Sequence, residues 1–186
     1  MTLEQDALPA PSKPGIALRA GNSRALALAA AYLLLGGLTL SPLLWTRIPA
    51  LVDYPNHLAR MWILVHGQDI PALASNYIAH WRLLPDLAMD LIVPPLAHLI
   101  GVEQAGRVFI ALTMLTLVAG TVALHRVLHG RVGLWPLASL LFIYNAVLYW
   151  GFLNCLFGMG VGLLLFAAWI ATRSWPSALR LPLFAL

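Results

Sequence analysis

Charge is scarce in this sequence. Only 10% of its 186 residues are Asp, Glu, Lys or Arg, whereas 61% are hydrophobic and the mean hydropathy is +0.83. Soluble domains are about 45–50% apolar and about 25% charged, so a water-soluble globular class is excluded. Cysteine is nearly absent too. A lone Cys155 excludes an internal disulfide framework and any multi-cysteine metal site. Set in an apolar stretch, it reads as a small buried hydrophobe. Runs of basic residues are also missing. The eleven Lys and Arg residues are scattered singly, so the net charge of +4 makes no nucleic-acid surface and instead fits the cytoplasmic flanks of membrane spans. No Walker loop, dinucleotide fingerprint, HExxH or nucleophile elbow occurs.

What is present is a series of long apolar runs. Residues 1–24 are polar, with Pro9, Pro11, Pro14 and Gly15, and read as a disordered cytoplasmic tail. Residues 25–45 carry no charge and exceed the apolar core of about 7–15 residues of a cleaved signal peptide, so an uncleaved span is expected. Lys13, Arg19 and Arg24 before it place the N-terminus in the cytoplasm. Residues 108–124 form a second uncharged run, and residues 132–172 a third without charge or histidine. A single helix over the third would measure about 60 Å, twice the hydrocarbon thickness. It must therefore turn, and Trp150, Gly151 and Asn154 mark the place.

The expected fold class is an all-α polytopic membrane protein. Its four spans are 25–45, 108–124, 134–150 and 152–172, with a large extracytoplasmic loop at 46–106 that contains interfacial amphipathic helices. Another apolar helix is expected to open at residue 181, as though the chain were the N-terminal part of a longer protein. Residues 87–101 are apolar but short, contain Asp90 and His98, and are interrupted by Pro94-Pro95, so they are expected to stay at the surface or re-enter rather than cross. His80 with Asp86, and Asp90 with the two prolines, are expected to shape the loop. Gly158 and Gly162 form a Gly-x-x-x-Gly pair suited to close packing within the bundle. Asn145 and Asn154 lie at outer span ends, bonded to neighbours or facing the cavity. His125 and His129 lie one turn apart on the cytoplasmic side, where headgroup contact is expected.

The loop 46–106 collects five of the seven acids and four of the six histidines. A wet loop gathers the charges that spans refuse, but its patterning goes further. From Pro55, Leu58, Met61, Trp62 and Val65 follow the spacing of one helical face, with Asn56, His57 and Arg60 on another. Pro55 suits the first turn of a helix. The apolar face is expected to rest on the membrane, leaving Asp53, His57 and Arg60 directed away from lipid. Asp53 is then either an N-terminal cap and dipole partner or a functional carboxylate at the membrane surface.

The first span, Asp53, the amphipathic helix, Pro94-Pro95-Leu96, Gly101-Val102-Glu103 and Arg107 follow one another in an order that resembles the GT-C glycosyltransferases. Those are polytopic enzymes, such as protein mannosyltransferases and lipid A aminoarabinose transferases, that take sugar from a polyprenyl-phosphate carrier. The resemblance covers roughly residues 25–172. It implies that Asp53 is the catalytic base, that His57, Arg60, Glu103 and Arg107 bind substrate, and that the partners are the lipid bilayer and a polyprenyl-phosphate-linked sugar. It also implies a multi-pass protein of the cell membrane, such as a bacterial inner membrane. Arg60 and Arg107 would face the phosphate, while Glu103 either serves as a second acid or simply pairs with Arg107. Asp53 and His57 are too few to hold a divalent metal, so no metal or other cofactor is expected. Two other classes compete. A transporter component should place ionisable groups inside its spans, and these spans have none; a non-catalytic membrane assembly protein stays open.

Overall fold

The computed structural model describes residues 14–82 and 84–184, with side chains from residue 23 onward. Every regular element among them is a helix: α1 (Pro14–Leu40), α2 (Pro42–Trp45), α3 (Tyr54–His66), α4 (Pro71–Ala74), α5 (Ala88–Ile100), α6 (Val102–His129), α7 (Ala138–Leu141), α8 (Ala146–Trp150), α9 (Leu153–Ala171) and α10 (Ser177–Phe184). Three stretches are long and apolar enough to cross a membrane, namely Ser23–Trp45, Val102–His129 and Leu153–Ala171. Leu26, Leu33, Leu34 and Leu38 of α1 are each about 70% exposed or more. A helix this apolar with so few protein neighbours matches a lipid surround. The fold is that of an all-α membrane protein.

The helices share two common ends. α6 and α9 are parallel neighbours: Phe109 stacks near Phe157 at 5.3 Å, and further along Gly120 approaches Leu163. Antiparallel to them runs α1, because its C-terminal extension meets Arg107 while Arg24 and Leu28 share a cleft with His125 and His129. Parallel α6 and α9 require the connection between them to return along the whole bundle. Residues 133–151 do so, with Gly133 against His125 at one end and Gly151 against Asp53 at the other.

That return path corrects the expected span 134–150. It is not one helix but a 3₁₀ turn at Trp135–Leu137, then α7, a break, and α8. Asn145 makes the break: its side-chain oxygen accepts the Leu148 amide and starts α8, while its amide donates to the Phe142 carbonyl. Tyr144 donates to the Thr39 carbonyl at 2.6 Å and ties the break to α1. Helix boundaries also differ. α1 begins at Pro14, inside the expected tail, while residues 1–13 lie outside the described residues. α6 runs past both ends of 108–124, so Glu103 and Arg107 are helical rather than loop residues. α10 covers the expected opening at residue 181 but begins at Ser177.

α5 keeps its helix through Pro94 and Pro95, although two prolines withdraw two N–H donors from the ladder. Both of its ends are tied to the same end of the bundle. Asn154, in the first turn of α9, accepts the Met89 amide and donates to the Asp86 carbonyl, and Gly101 joins α5 directly to α6. Gly101 has φ +82 and ψ 154, a conformation only glycine adopts freely. Both ends of α5 therefore lie at one end of the bundle.

Two packing expectations are corrected. Gly158 and Gly162 have open space where a Cβ would stand, and the close contact of α6 with α9 is instead made by Gly120 and Gly160. Cys155 is exposed rather than buried. In both cases the outward face of α9 meets lipid, where an apolar side chain needs no protein around it.

Candidate functional site

The best-packed part of the molecule lies at the end where α3, α5, α6, α8 and α9 meet. Tyr54, Met61, Met89, Phe109, Leu148 and Leu153 are all at most 1% exposed there. α3 supplies Tyr54 and Met61 to this core, and Leu58 and Val65 pack against it. The apolar face of α3 thus covers α5 and α6 instead of resting on the membrane, and of its four apolar residues only Trp62 stays about half exposed. The polar face, with Asn56, His57 and Arg60, is consequently held rigidly.

Asp53 precedes α3, and its backbone is fixed by a hydrogen bond from its amide to the Trp150 carbonyl, next to the parallel bond from Val52 to Tyr149. Its carboxylate makes no capping bond to the helix. Oδ1 accepts the Asn56 side-chain amide at 2.8 Å and Oδ2 lies 3.3 Å from His57 Nε2, with the Asp53 side chain 43% exposed and that of His57 18%. Asp53 stands at the N-terminus of α3 without a side-chain capping bond, and its carboxylate faces neighbouring side chains and solvent.

One turn beyond His57, Arg60 Nε stands 2.8 Å from Oδ1 of Asp90 on α5. The pair is close in distance, yet the N–H is not aligned, so the buried Oδ1 has no hydrogen bond among the described residues. Burial pushes the Asp90 carboxyl up from the usual range, opposed by the positive charge of Arg60 and, more weakly, by His57. Arg60 and Asp90 form part of the wall of a cleft of about 490 Å³ between α3 and the segment 77–87, where Asn56, Tyr77, His80, Trp81 and Arg82 complete the polar and aromatic lining. Asp53 stands at its rim, bonded to Asn56. Among the described residues, no group of three or more His, Cys, Asp or Glu side chains gathers in one place.

Glu103 and Arg107 are separate from the cleft. Glu103 pairs with Arg47, not with Arg107. The Arg107 guanidinium donates to the carbonyls of Leu43 and Thr46, capping α2, and its Nε is buried without a partner. Arg107 therefore anchors the first span to α6. Next to it the Tyr54 hydroxyl is buried against Gly106, and burial pushes this phenol up to about 12. The structure thus brings together Asp53, His57 and Arg60 and leaves Glu103 and Arg107 apart. It adds Asp90, Trp81 and Arg82. A charge inside an apolar helix is a functional signal in a membrane protein, so Asp90 was readable in principle; nothing in the sequence singles out Trp81 or Arg82.

The fold and this cleft define an all-α membrane protein with a charged, partly enclosed site at one end of its bundle. No family model, curated protein or solved structure matches the chain.

Proposed function

We propose that this protein is a GT-C-like membrane glycosyltransferase component that moves a sugar from a polyprenyl-phosphate donor to an acceptor on the extracytoplasmic face. One observation carries the reading: in a bundle whose spans are nearly free of charge, Arg60, Arg82 and Asp90 line one cleft at one end, and the Asp53–His57 pair stands beside it through the bond of Asp53 to the lining residue Asn56. The opposite end bears Arg24, Arg126, Arg131, Arg173 and Arg180, whereas every acid among the described residues belongs to the cleft end. The positive-inside bias makes the arginine end cytoplasmic and the cleft extracytoplasmic, in a multi-pass chain.

In the reaction, the acceptor hydroxyl oxygen attacks the anomeric carbon of the donor sugar. The bond from that carbon to the phosphate oxygen breaks, and its electron pair leaves on the polyprenyl phosphate. Asp53 takes the hydroxyl proton, steadied by Asn56 and His57. Arg60 and Arg82 offset the phosphate charge. Trp81 and Tyr77 offer flat apolar surfaces to sugar or prenyl chain. Arg107, bonded to two carbonyls, serves as a positioning residue.

The test is sugar transfer in proteoliposomes supplied with polyprenyl-phosphate-mannose or polyprenyl-phosphate-aminoarabinose, read as release of free polyprenyl phosphate. Asp53→Asn keeps the shape of the side chain but removes the proton acceptor, and is expected to lower kcat about 10²–10⁴-fold with KM nearly unchanged. Arg60→Gln is expected to raise KM. Asp69→Asn and Asp86→Asn serve as controls, the latter because Asp86 has φ +66, which Asn tolerates. Wild-type transfer by Asp53→Asn would remove the base, and no release of polyprenyl phosphate from either donor by the wild-type protein would remove the reading altogether.

A further inference from the structure

A second cleft, of about 750 Å³, opens at the opposite end of the bundle between the start of the first span, the end of α6 and the turn that follows. Four basic or titratable side chains meet there: Arg24, His125, His129 and Arg131. They come from two segments far apart in sequence, the start of the first span and residues 125–131, so the cluster is a product of folding. The two imidazoles stack at 4.3 Å and 20°, and His129 Nδ1 donates to the His125 carbonyl at 3.1 Å, which leaves its Nε2 for another partner. Gly130, with φ +69, ends α6 and turns the chain back. At Gly133 a Cβ would stand only 2.8 Å from His125 Nε2, so the absence of a side chain lets the turn close against the ring.

Helix C-termini favour cations, which accounts for Arg126 and His129 on α6 itself. It does not account for Arg24, which enters the cleft from the start of the first span, and neither Arg24 nor Arg131, just past the end of α6, has a hydrogen-bond or ion-pair partner among the described residues. No acid of the described residues lies at this end. Arg24, His129 and Arg131 are exposed at the edge of an apolar bundle, so these basic groups face the depth at which anionic headgroups lie. The lining also has an apolar side: Leu28 lies deeper, and Trp135 at the mouth is 85% exposed, as expected of an aromatic at the headgroup level.

We propose that this cleft binds the phosphate of an anionic phospholipid, with Arg24 and Arg131 on the phosphate, His129 Nε2 donating when protonated, and Leu28 and Trp135 against the acyl-chain side. The site is independent of the sugar-transfer reading and survives its failure. It gives these cations a partner that they lack among the described residues, and it anchors the first span and α6 to the same leaflet. The charge and the adjacent apolar wall together select a lipid over free phosphate.

The experiment is native mass spectrometry of the full chain released from nanodiscs containing both phosphatidylglycerol and phosphatidylcholine. Phosphatidylglycerol is expected to be retained preferentially. Arg24→Gln and Arg131→Gln should each weaken retention about fivefold, and the double variant about 25-fold, the effect of about one headgroup charge contact per arginine. Arg47→Gln, at the other end, should leave retention unchanged. Circular dichroism verifies that each variant keeps its helices. Equal retention of the two lipids, or normal phosphatidylglycerol retention by the double variant, would overturn the proposal. Displacement of the lipid by inorganic phosphate would overturn its lipid part and leave a free-phosphate site.

Discussion

Asp90 dominates the energetics of individual residues at the cleft, because its side chain is 2% exposed while that of Arg60 is 55% exposed. A buried carboxylate is expensive unless paired, and Arg60, its charged contact among the described residues, is held at the edge of solvent. Its carboxyl titrates above the unfolded value of 3.8, so the folded state holds the proton more tightly than the unfolded chain. The associated stabilisation is full below the unfolded value and is lost as pH rises through the raised folded one. Asp90→Asn abolishes this titration and is expected to flatten the pH dependence, with stability at neutral pH no lower than wild type. Arg60→Ala leaves the carboxylate without its counter-ion and should cost about 1–3 kcal/mol at neutral pH. Thermal unfolding in detergent across the acid-to-neutral range checks both; a wild-type midpoint rising faster with pH than that of Asp90→Asn would contradict the assignment.

Among the elements, the tight contact between α6 and α9 rests on two glycines. A Cβ on Gly160 would stand 2.7 Å from the Leu117 amide nitrogen, and one on Gly120 would stand 2.8 Å from the Gly160 carbonyl. Backbone cannot yield as a side-chain tip can, so Gly160→Ala is expected to cost about 1–3 kcal/mol. Gly158→Ala and Gly162→Ala meet open space and should be neutral or gain up to about 1 kcal/mol from helix propensity. Comparing the three unfolding midpoints decides the matter: equal losses would mean that the glycine pair four residues apart, rather than Gly160, makes the interface. The interrupted 133–151 segment follows a similar logic. A continuous helix would pack no better there, while the break allows Asn145 and Tyr144 to bond to neighbouring backbone.

For the whole molecule, parallel α6 and α9 joined by a return path put residues 68 and 132 at opposite ends of the bundle. Single cysteines at Gln68 and Val132, in a Cys155→Ser background because Cys155 is itself exposed, are expected to react oppositely with an impermeant thiol reagent on intact cells. Gln68 should label from outside. Labelling of both from the outside would reject the four-pass arrangement, and with it the assignment of the arginine end to the cytoplasm.

Composition and charge-free runs determined the class of this protein by themselves, since lipid tolerates long apolar helices and water does not. They also located the first long apolar helix, α6, α9 and the turn at Gly151, because length against bilayer thickness is a one-dimensional property. The helical face of α3 and the grouping of Asp53, His57 and Arg60 were legible for the same reason: periodicity within one helix is local. What α3 packs against was not, because an amphipathic face is equally satisfied by lipid or by α5 and α6, and only the tertiary arrangement chose the protein core. The partners of Glu103 and Arg107, the entry of Asp90 into the cleft and the identity of the packing glycines were decided in the same way. Each depends on which residues distant in sequence come within a few ångströms, and Arg47 with Glu103, Arg60 with Asp90 and Gly120 with Gly160 are brought there only by the folded bundle.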